Sequence, residues 1–303
     1  MKPLIVITGP TACGKTPTAV ALAKTADGEV VSADSMQIYR GMDIGTAKPS
    51  VEEREGIPHH MLDVADPAED FSAAIFQKMA REAIADIHSR GKLPILTGGT
   101  GFYINSLVYE DALSPDSDDK GLRDALMAEP DIYQRLQKVD PEAARAIHPN
   151  NIKRVARALA YYEINGRPFS HHKTEKKLLY DASFYILYRD RALLYKAIDR
   201  RVEAMITQGL VEEVKKLLSE GVGENSTAMQ GLGYKEMLPY IYGQSTIDEV
   251  VSAIQQGSRR YAKRQLTWFR HQMEGTWLSM DDHSPEEAAR RIYYGKELSR
   301  HDS

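Results

Sequence analysis

The chain has 303 residues, of which 42% are hydrophobic and 27% are charged, a composition typical of globular proteins. Its 39 basic and 43 acidic residues give a net charge of −4, so a nucleic-acid partner would need local basic patches. No run approaches the ~20 apolar residues of a membrane span, and the apolar run near the N-terminus is too short for a signal peptide. The single cysteine, Cys13, excludes an internal disulfide. We expect a cytoplasmic protein that does not contact a membrane.

Residues 9–16, with the sequence GPTACGKT, match the phosphate-binding loop pattern G-x-x-x-x-G-K-[ST]. The apolar run at residues 4–7 predicts a buried strand before the loop, and residues 19–23 predict a helix after it. Backbone N–H groups, the helix N-terminus and the Lys15 charge would then meet at one anionic group. We interpret Cys13 as a packing residue, and a turn without a ligand is the alternative for the whole loop. The predicted phosphate-binding residues are Gly9, Pro10, Thr11, Ala12, Cys13, Gly14, Lys15 and Thr16.

Strands and helices alternate over residues 1–110. Further strands are predicted at residues 29–33, 61–64 and 93–97, and helices at 71–90 and 102–108. This alternation indicates a parallel sheet with helices on both faces, whose ligands collect at the carboxyl ends of the strands. We therefore predict an α/β fold with a parallel sheet and flanking helices like that of the P-loop NTPases.

The pattern becomes helical near residue 111. Helices are predicted at residues 121–138, 141–148 and 151–165, followed by a strand at 183–188. Apolar stripes then predict helices at residues 195–206, 211–218 and 247–273. We predict a P-loop core from residues 1–110 and 181–303 with a helical C-terminal part, and an inserted all-helical domain at residues 111–180.

Two short segments follow predicted strands at the same edge of the sheet. Asp34 could hold Mg²⁺ through water or act as a general base, or it could cap the next helix. Residues 98–101 include three glycines, which indicate either a backbone close to a ligand, with Thr100 as a donor, or a plain turn. The residues alone leave both pairs of alternatives open. His59 and His60 are adjacent and cannot share one face, so no metal pair is predicted there.

Two stretches are basic. Residues 150–200 contain eleven Lys or Arg and five Asp or Glu, and residues 259–271 contain five basic residues and no acidic one. On a helix, the second stretch would bury Ala262 and Phe269 and present Lys263 and Arg264 on another face, which suits a phosphate backbone. A solvated helix face is the alternative. Upstream, Arg200 and Arg201 lie in mid-helix, and spacing does not decide which could reach a phosphate.

Several motifs together resemble one family, the tRNA dimethylallyltransferases, also called tRNA isopentenyltransferases. Beside the phosphate loop, they are SADSMQIYRGMDIGTAKP at residues 32–49, PHH at 58–60 and GGTGFY at 98–103. Further motifs are GYKE at residues 233–236 and YAKRQLTWF at 261–269. The likeness spans about residues 3 to 280 in family order. The motif at residues 32–49 is specific, whereas the phosphate loop alone is shared by many NTPases.

The resemblance implies transfer of the dimethylallyl group of dimethylallyl diphosphate to the exocyclic amine of an adenosine in tRNA. That adenosine lies immediately 3′ of the anticodon in tRNAs that read codons beginning with U. Asp34 would accept or orient the amine proton, and Thr16 would bind Mg²⁺ on the diphosphate. Thr100 and Arg201 would stabilise the leaving group, and the family pattern R-x-x-x-M selects Arg201 because Met205 follows it. A P-loop kinase or NTPase that acts on a small molecule is the alternative function.

The resemblance also implies where tRNA would bind. The target base must leave the stack of the anticodon stem-loop and enter the cleft. We expect tRNA as the macromolecular partner, no membrane partner and a monomeric protein. The residues expected to contact tRNA are Asp34, Ser35, Met36, Gln37, Thr100, Arg123, Lys153, Arg154, Arg157, Gly233, Tyr234, Lys235 and Arg264.

Overall fold

The computed structural model describes residues 1–110, 119–171 and 177–301. The described chain divides into two compact units, one of residues 1–108 with 178–303 and one of residues 109–177. The inserted domain was predicted at residues 111–180, and its residues 111–118 and 172–176 lie outside the described part. Among the described residues, no helix combines the length and apolar character that a bilayer crossing requires.

Six strands form one sheet in the described core, and every neighbouring pair is parallel. The strands are β1 (Pro3–Thr8), β2 (Gly28–Ser32), β3 (His59–His60), β4 (Leu93–Gly98), β5 (Asp181–Tyr188) and β6 (Thr276–Ser279). Their order across the sheet is β3-β2-β4-β1-β5-β6. The central strands β1 and β4 are almost entirely buried because both of their faces are covered. The predicted α/β fold with a parallel sheet is confirmed.

The strand register aligns the carboxyl ends of the central strands. Thr8 of β1 pairs with Gly98 of β4, and Ser32 of β2 pairs with Thr97. The chain therefore leaves β1, β2 and β4 at neighbouring points on one edge of the sheet. That edge is where an open parallel sheet places its ligands.

Helices cover the sheet and extend from it. The helices of the core are α1 (Lys15–Ala26), α2 (Val51–Arg54), α3 (Ala73–Ser89), α4 (Gly101–Val108), α9 (Arg191–Gln208), α10 (Leu210–Ser219), α11 (Tyr234–Ile241), α12 (Ile247–Gln272) and α13 (Pro285–His301). Most of the predicted helices are present within a few residues of their expected bounds. The helix α12 reaches from the apolar cluster around Tyr234 and Ile254 to the one that contains Ala262, so it spans the core.

The second unit is helical in its described part. Its helices are α5 (Lys120–Met127), α6 (Ile132–Val139), α7 (Pro141–Ala146) and α8 (Ile152–Asn165), followed by a short 3₁₀ turn, Phe169–His171. The single helix predicted at residues 121–138 is two helices, because the chain breaks around Pro130. Apolar side chains of α6 and α8, such as Leu136 and Leu159, form this unit's own core.

Two sheet assignments from the sequence were wrong. The predicted strand at residues 61–64 does not form, because Met61 and Asp63 have positive φ values of 66° and 57°. The short strand β3 lies just before it instead. The edge strand β6 was missed, since the sequence suggested only helices after residue 190. Four residues between two long helical stretches are too few for an alternating pattern to stand out.

A buried carboxylate joins the strands β2 and β3 to the end of α3. Glu29 is 2% exposed, and its carboxylate binds the Arg90 guanidinium, with an Nη2–Oε2 distance of 2.8 Å. His60 Nε2 lies 2.8 Å from Glu29 Oε2, and Lys92 Nζ lies 3.4 Å from Oε1. The hydrogen bonds from Arg90, more than any other interaction, lower the pKa of Glu29 to about 2.

We expect Glu29→Gln to destabilise the core on the order of 2 kcal/mol at neutral pH, because it removes charged hydrogen bonds. A carboxylate with a lowered pKa stabilises the fold above its unfolded pKa, and that contribution is lost as pH falls towards about 2. The difference in melting temperature between wild type and variant should therefore shrink as the pH is lowered from about 5 towards 2. Thermal unfolding of wild type and variant, recorded across this pH range, measures the difference in melting temperature. Glu55→Gln, at the exposed Lys24 pair, is the control, and an equal effect of both variants would contradict the prediction.

Candidate active site

The loop between β1 and α1 requires backbone conformations that glycine provides. Gly9 has a φ of 148°, and a Cβ there would lie 2.3 Å from the Leu187 carbonyl oxygen and 2.9 Å from the sulfur of the buried Cys13. Ala12 and Gly14 also have positive φ values, 62° and 99°. Among the described residues, no side chain caps the N-terminus of α1. Its first N–H groups therefore stay available to an anion.

Lys15 folds back onto the loop that precedes it. Its ammonium group donates hydrogen bonds to the carbonyl oxygens of Gly9 at 3.0 Å and Pro10 at 2.8 Å. Burial lowers the pKa of Lys15, and the charge of Arg201 acts in the same direction. Lys15 is half-buried, and its hydrogen-bond partners among the described residues are neutral carbonyl groups, so its charge is a strong binding group for an anionic ligand.

Arg201 of α9 reaches the same loop from the other side. Its Nη1 donates to Thr11 Oγ1 at 3.2 Å, and burial lowers the pKa of Arg201. The preceding residue, Arg200, is exposed. The helix geometry thus places Arg201, and not Arg200, beside the phosphate loop.

The turns that contain Asp34 and Thr100 follow β2 and β4, and Ser35 joins them through hydrogen bonds to Thr100. Asp34 Oδ1 accepts hydrogen bonds from the backbone N–H of Met36 at 2.9 Å and of Gln37 at 3.4 Å. Thr100 Oγ1 accepts from the Ser35 backbone N–H at 3.1 Å and lies 3.3 Å from Ser35 Oγ. One oxygen of Asp34 thus caps its own turn, while the residue still faces a cavity. Capping by Asp34 is therefore compatible with a role of the same side chain as a general base or in holding Mg²⁺.

A cleft of about 1100 Å³ lies between the phosphate loop, the segment after β2 and the helices α9 and α12. This cleft brings together many of the predicted site residues. Those that line it are Thr11, Ala12, Cys13, Gly14, Lys15, Thr16, Asp34, Gln37 and Arg201. Thr100 supports it through Ser35, and Gly9 and Pro10 contribute the carbonyl groups that hold Lys15.

The glycines at residues 98–101 make room for other parts of the protein. A Cβ on Gly98 would lie 2.2 Å from the Ala33 carbonyl oxygen, and one on Gly101 would lie 2.2 Å from the ring of Trp268 on α12. A Cβ on Gly99 would lie 2.3 Å from Gln265 Nε2. These glycines allow close packing of β4 on its neighbours, and Gly99 also lines the cleft, so both alternatives from the sequence stay open.

Gln265 is a site residue that sequence reasoning missed. Its buried amide accepts a hydrogen bond from the Thr11 backbone N–H at 2.9 Å and donates one to the Gly99 carbonyl oxygen at 3.0 Å. It lines the cleft beside Tyr261, and burial raises the pKa of Tyr261 to about 12. The available signal was an amide residue inside an otherwise basic helix, within the motif at residues 261–269.

Three of the residues expected to contact tRNA make contacts within the protein itself. Gln37 donates to the carbonyl oxygens of Thr46 and Ala47 at 3.3 and 3.1 Å and accepts from Ser32 Oγ at 3.2 Å. Met36 packs at Gly231, where a Cβ would lie 2.3 Å from its Cε. These side chains, together with Ser35, are half-buried at the rim of the site.

Tyr234 and Gly233 are corrections to the expected tRNA contacts. Tyr234 is fully buried, and its hydroxyl donates to Glu213 Oε1 at 2.6 Å. Burial and the Glu213 charge raise the pKa of Tyr234. Glu213 also accepts three hydrogen bonds, at 2.8 to 3.0 Å, from the backbone N–H groups of residues 43–45. Gly233 is buried too, so in this segment Lys235 is the predicted residue that is exposed.

The outward face of α12 is cationic along residues 260–272. Ala262, Gln265 and Phe269 are buried on the inward face, as the sequence pattern predicted for Ala262 and Phe269. The outward residues surround a shallow depression of about 620 Å³. They are Arg260, Lys263, Arg264, Thr267, Trp268, His271 and Gln272.

The predicted tRNA contacts of the insertion lie on two of its helices. Lys153 and Arg154 are exposed in the first turn of α8, next to the capping residue Asn151. Arg157 of α8 and Arg123 of α5 are half-buried.

The fold and the cleft define a class of protein. It is a P-loop protein whose cleft contains the phosphate loop and whose neighbouring helix presents a cationic face. Within this class, the chain belongs to the IPP transferase family, whose model matches residues 37–272. The resemblance of its motifs to this family is confirmed.

Relatives of known name match the chain over nearly its whole length. A tRNA dimethylallyltransferase of Exiguobacterium sp. (strain ATCC BAA-1283 / AT1b) is 47% identical, with 96% of this chain and 94% of that protein covered. One of Caldanaerobacter subterraneus subsp. tengcongensis is 49% identical, with 95% of both covered.

Solved structures agree with this assignment. The full-length tRNA isopentenylpyrophosphate transferase of Bacillus halodurans is 42% identical with a TM-score of 0.75, covering 100% of this chain and 99% of that one. A eukaryotic dimethylallyltransferase acting on tRNA is 30% identical with a TM-score of 0.87, covering 99% of this chain and 80% of that one.

We expect Gln265→Glu to weaken binding of inorganic diphosphate about tenfold, a change of about 1.4 kcal/mol. The new carboxylate can still accept from Thr11, but it cannot donate to Gly99 and repels that carbonyl oxygen. Isothermal titration calorimetry with diphosphate and Mg²⁺ measures the affinity of each variant. Gln256→Glu makes the same charge change at an exposed position of α12 and should stay within about twofold of wild type. Equal affinities of the two variants would refute a role for Gln265.

Proposed function

We propose that the protein transfers the dimethylallyl group of dimethylallyl diphosphate to tRNA, with diphosphate as the leaving group. The acceptor is the exocyclic amine of the adenosine 3′ of the anticodon, in tRNAs that read codons beginning with U. The observation that carries the proposal is the convergence of the phosphate loop, Arg201 and Asp34 in one cleft. The named relatives support the same activity. We further propose that it acts as a monomer in the cytoplasm, where tRNA is found.

The size of the cleft supports two substrates at once. At about 1100 Å³ it lies just above the usual range for small-molecule sites, roughly 300 to 1,000 Å³. Its lining combines the cationic loop with apolar side chains such as Ile44 and Met205. A prenyl diphosphate fits this mixture because one end is anionic and the other is apolar.

Lys15, Arg201 and the N-terminus of α1 would stabilise the negative charge that develops on the leaving diphosphate. Electrostatic stabilisation of this kind is strongest where the cations are already oriented and water is excluded. Both cations are half-buried and held by hydrogen bonds to the loop. Thr100 would act indirectly, since its hydroxyl holds the turn after Asp34.

The donor set of the cleft fits a magnesium ion that arrives with the diphosphate. Mg²⁺ commonly takes only one or two protein ligands and keeps water and substrate phosphate oxygens as the others. No group of three or more His, Cys, Asp or Glu side chains able to hold a metal occurs in the described residues, and Thr16 lines the cleft beside Lys15. We propose that Thr16 would hold the ion, which would neutralise charge on the diphosphate when bound.

Asp34 would accept the proton of the attacking amine. Its Oδ1 is held by two backbone N–H groups, while no described residue donates a hydrogen bond to Oδ2. A carboxylate oriented through one oxygen can use the other as a base. The adenosine amine would attack the prenyl carbon as the bond to the diphosphate oxygen breaks.

Binding of tRNA requires the target base to leave its stack and enter the cleft. The exposed cations of α12, including Arg264, would contact the phosphate backbone. Lys153, Arg154, Arg157 and Arg123 of the insertion would add further contacts to the stem-loop. A P-loop kinase or NTPase, the alternative function, has no use for this basic surface.

The activity is tested with an unmodified anticodon stem-loop, dimethylallyl diphosphate and Mg²⁺, followed by mass spectrometry of the RNA. We expect wild type to add one C₅H₈ unit and Asp34→Asn to be slower by about 10²- to 10⁴-fold, since the amide cannot accept the proton. The amide still accepts from Met36 and Gln37, so RNA affinity should be nearly unchanged. Steady ATP hydrolysis without any gain in RNA mass would favour the alternative function.

The RNA-binding role of α12 is tested by Lys263→Ala combined with Arg264→Ala. Loss of two phosphate contacts should weaken stem-loop binding. It should also make the negative slope of log affinity against log salt shallower by about two. Transfer at saturating RNA should change little. The control, Lys215→Ala with Lys216→Ala on α10, removes the same charge from another exposed face. Equal salt slopes for both double variants would exclude α12 from the interface.

A further inference from the structure

A second, smaller cavity adjoins the cleft at the carboxyl ends of β2, β3 and β4. Its volume is about 40 Å³, and its lining includes Thr16, Ser32, Asp34, His59 and Thr97. A buried water needs about 10 to 15 Å³ of such space, so the cavity has room for about two or three water molecules. Asp34 lines both this cavity and the cleft, and therefore stands between them.

Two polar atoms of this lining have no hydrogen-bond partner in the described part of the protein. They are Thr97 Oγ1 and His59 Nε2, and both atoms are buried. Thr97 as a whole is only 8% exposed. Buried polar groups are nearly always hydrogen-bonded, to protein or to ordered water. Two such atoms in the lining of one cavity indicate that the cavity holds water.

The protonation of the His59 ring follows from its other nitrogen. Nδ1 lies 2.9 Å from the Ile57 carbonyl oxygen, which can only accept, so Nδ1 carries the proton. In the neutral ring, Nε2 is then a free proton acceptor. Burial lowers the pKa of His59, and the neighbouring Arg54 and His60 act in the same direction. The ring is therefore neutral near neutral pH.

We propose that this cavity is a proton exit and that His59 Nε2 accepts, through water, the proton that Asp34 removes from the substrate amine. The proposal rests on the prenyl-transfer function. Thr97 would hold the connecting water, because its hydroxyl both donates and accepts. His59 lies on the short strand β3 at the edge of the sheet, and its ring is half-buried as a whole although Nε2 itself is buried.

The proton count balances in four steps. The amine nitrogen forms a bond to the prenyl carbon while the bond from that carbon to the diphosphate oxygen breaks. The proton on the now cationic nitrogen moves to Asp34, which becomes a neutral acid. Asp34 passes a proton to the bound water as that water gives one to His59 Nε2, which leaves an imidazolium and a restored carboxylate. The imidazolium then loses its extra proton to solvent.

The test compares His59→Gln and Thr97→Val with wild type in multiple-turnover transfer, in H₂O and in D₂O, because the relay restores the Asp34 carboxylate after each transfer. Gln can bind water but cannot take up a proton at neutral pH. Val keeps the shape of Thr without its hydroxyl. We expect the rate to fall about tenfold to a hundredfold in His59→Gln and less in Thr97→Val. Affinities for diphosphate and for the stem-loop should stay within about twofold of wild type. The solvent isotope effect should rise above two, because proton transfer becomes limiting.

The matched control is His60→Gln. His60 is the next residue, but its ring binds Glu29 and does not line the cavity. Its variant should lose thermal stability and keep the wild-type rate and isotope effect. Wild-type rates and isotope effects in both His59→Gln and Thr97→Val would overturn the proposal, as would a loss explained by weaker binding. If His59→Gln does not fold, Thr97→Val decides the question. A wild-type protein that transfers no prenyl group would instead refute the proposed function.

Discussion

The parallel register of β2, β4 and β1 is the constraint on which the site depends. It brings the ends of three strands, at Ser32, Gly98 and Thr8, to neighbouring points on one edge of the sheet. The phosphate loop, the turn of Asp34 and the turn of Thr100 all begin there. Gly98 is required at this edge because any side chain would meet the carbonyl group of Ala33. Residues distant in sequence thus meet in one cleft without long side chains to connect them.

The helix α12 also organises this edge of the sheet. Its two faces have different roles. Its inward face inserts Gln265 between the phosphate loop and the loop after β4, using both ends of one amide. Its outward face carries exposed cations such as Lys263 and Arg264. Because one helix carries both faces, the proposed RNA surface lies directly behind the residue that contacts the phosphate loop.

Residues 34–37 of the motif at residues 32–49 were expected to contact the substrate, yet many polar groups of this motif hold the segment itself. Lys48 is buried and donates to the Tyr39 carbonyl oxygen at 2.8 Å and to Asp43 and Asp63 at 2.6 Å each. Glu213 anchors the backbone of residues 43–45 in the same way. An irregular segment needs such partners because it has no regular backbone pairing. These hydrogen bonds hold the segment in place, with Asp34 in the lining of both the cleft and the smaller cavity.

The sequence by itself determined the phosphate loop, the main strands and helices, the α/β class and the family, because these depend on local spacing and on motifs. It also indicated which face of α12 is apolar. Spacing did not separate Arg201 from Arg200, but the family pattern selected Arg201, and the structure places it at the loop. Only the tertiary structure decided that Tyr234 is buried and that Gln265 bridges two loops. Each of these depends on how a helix is rotated against distant elements, which local periodicity does not encode. The short edge strands β3 and β6 likewise exist only because a neighbouring strand pairs with them.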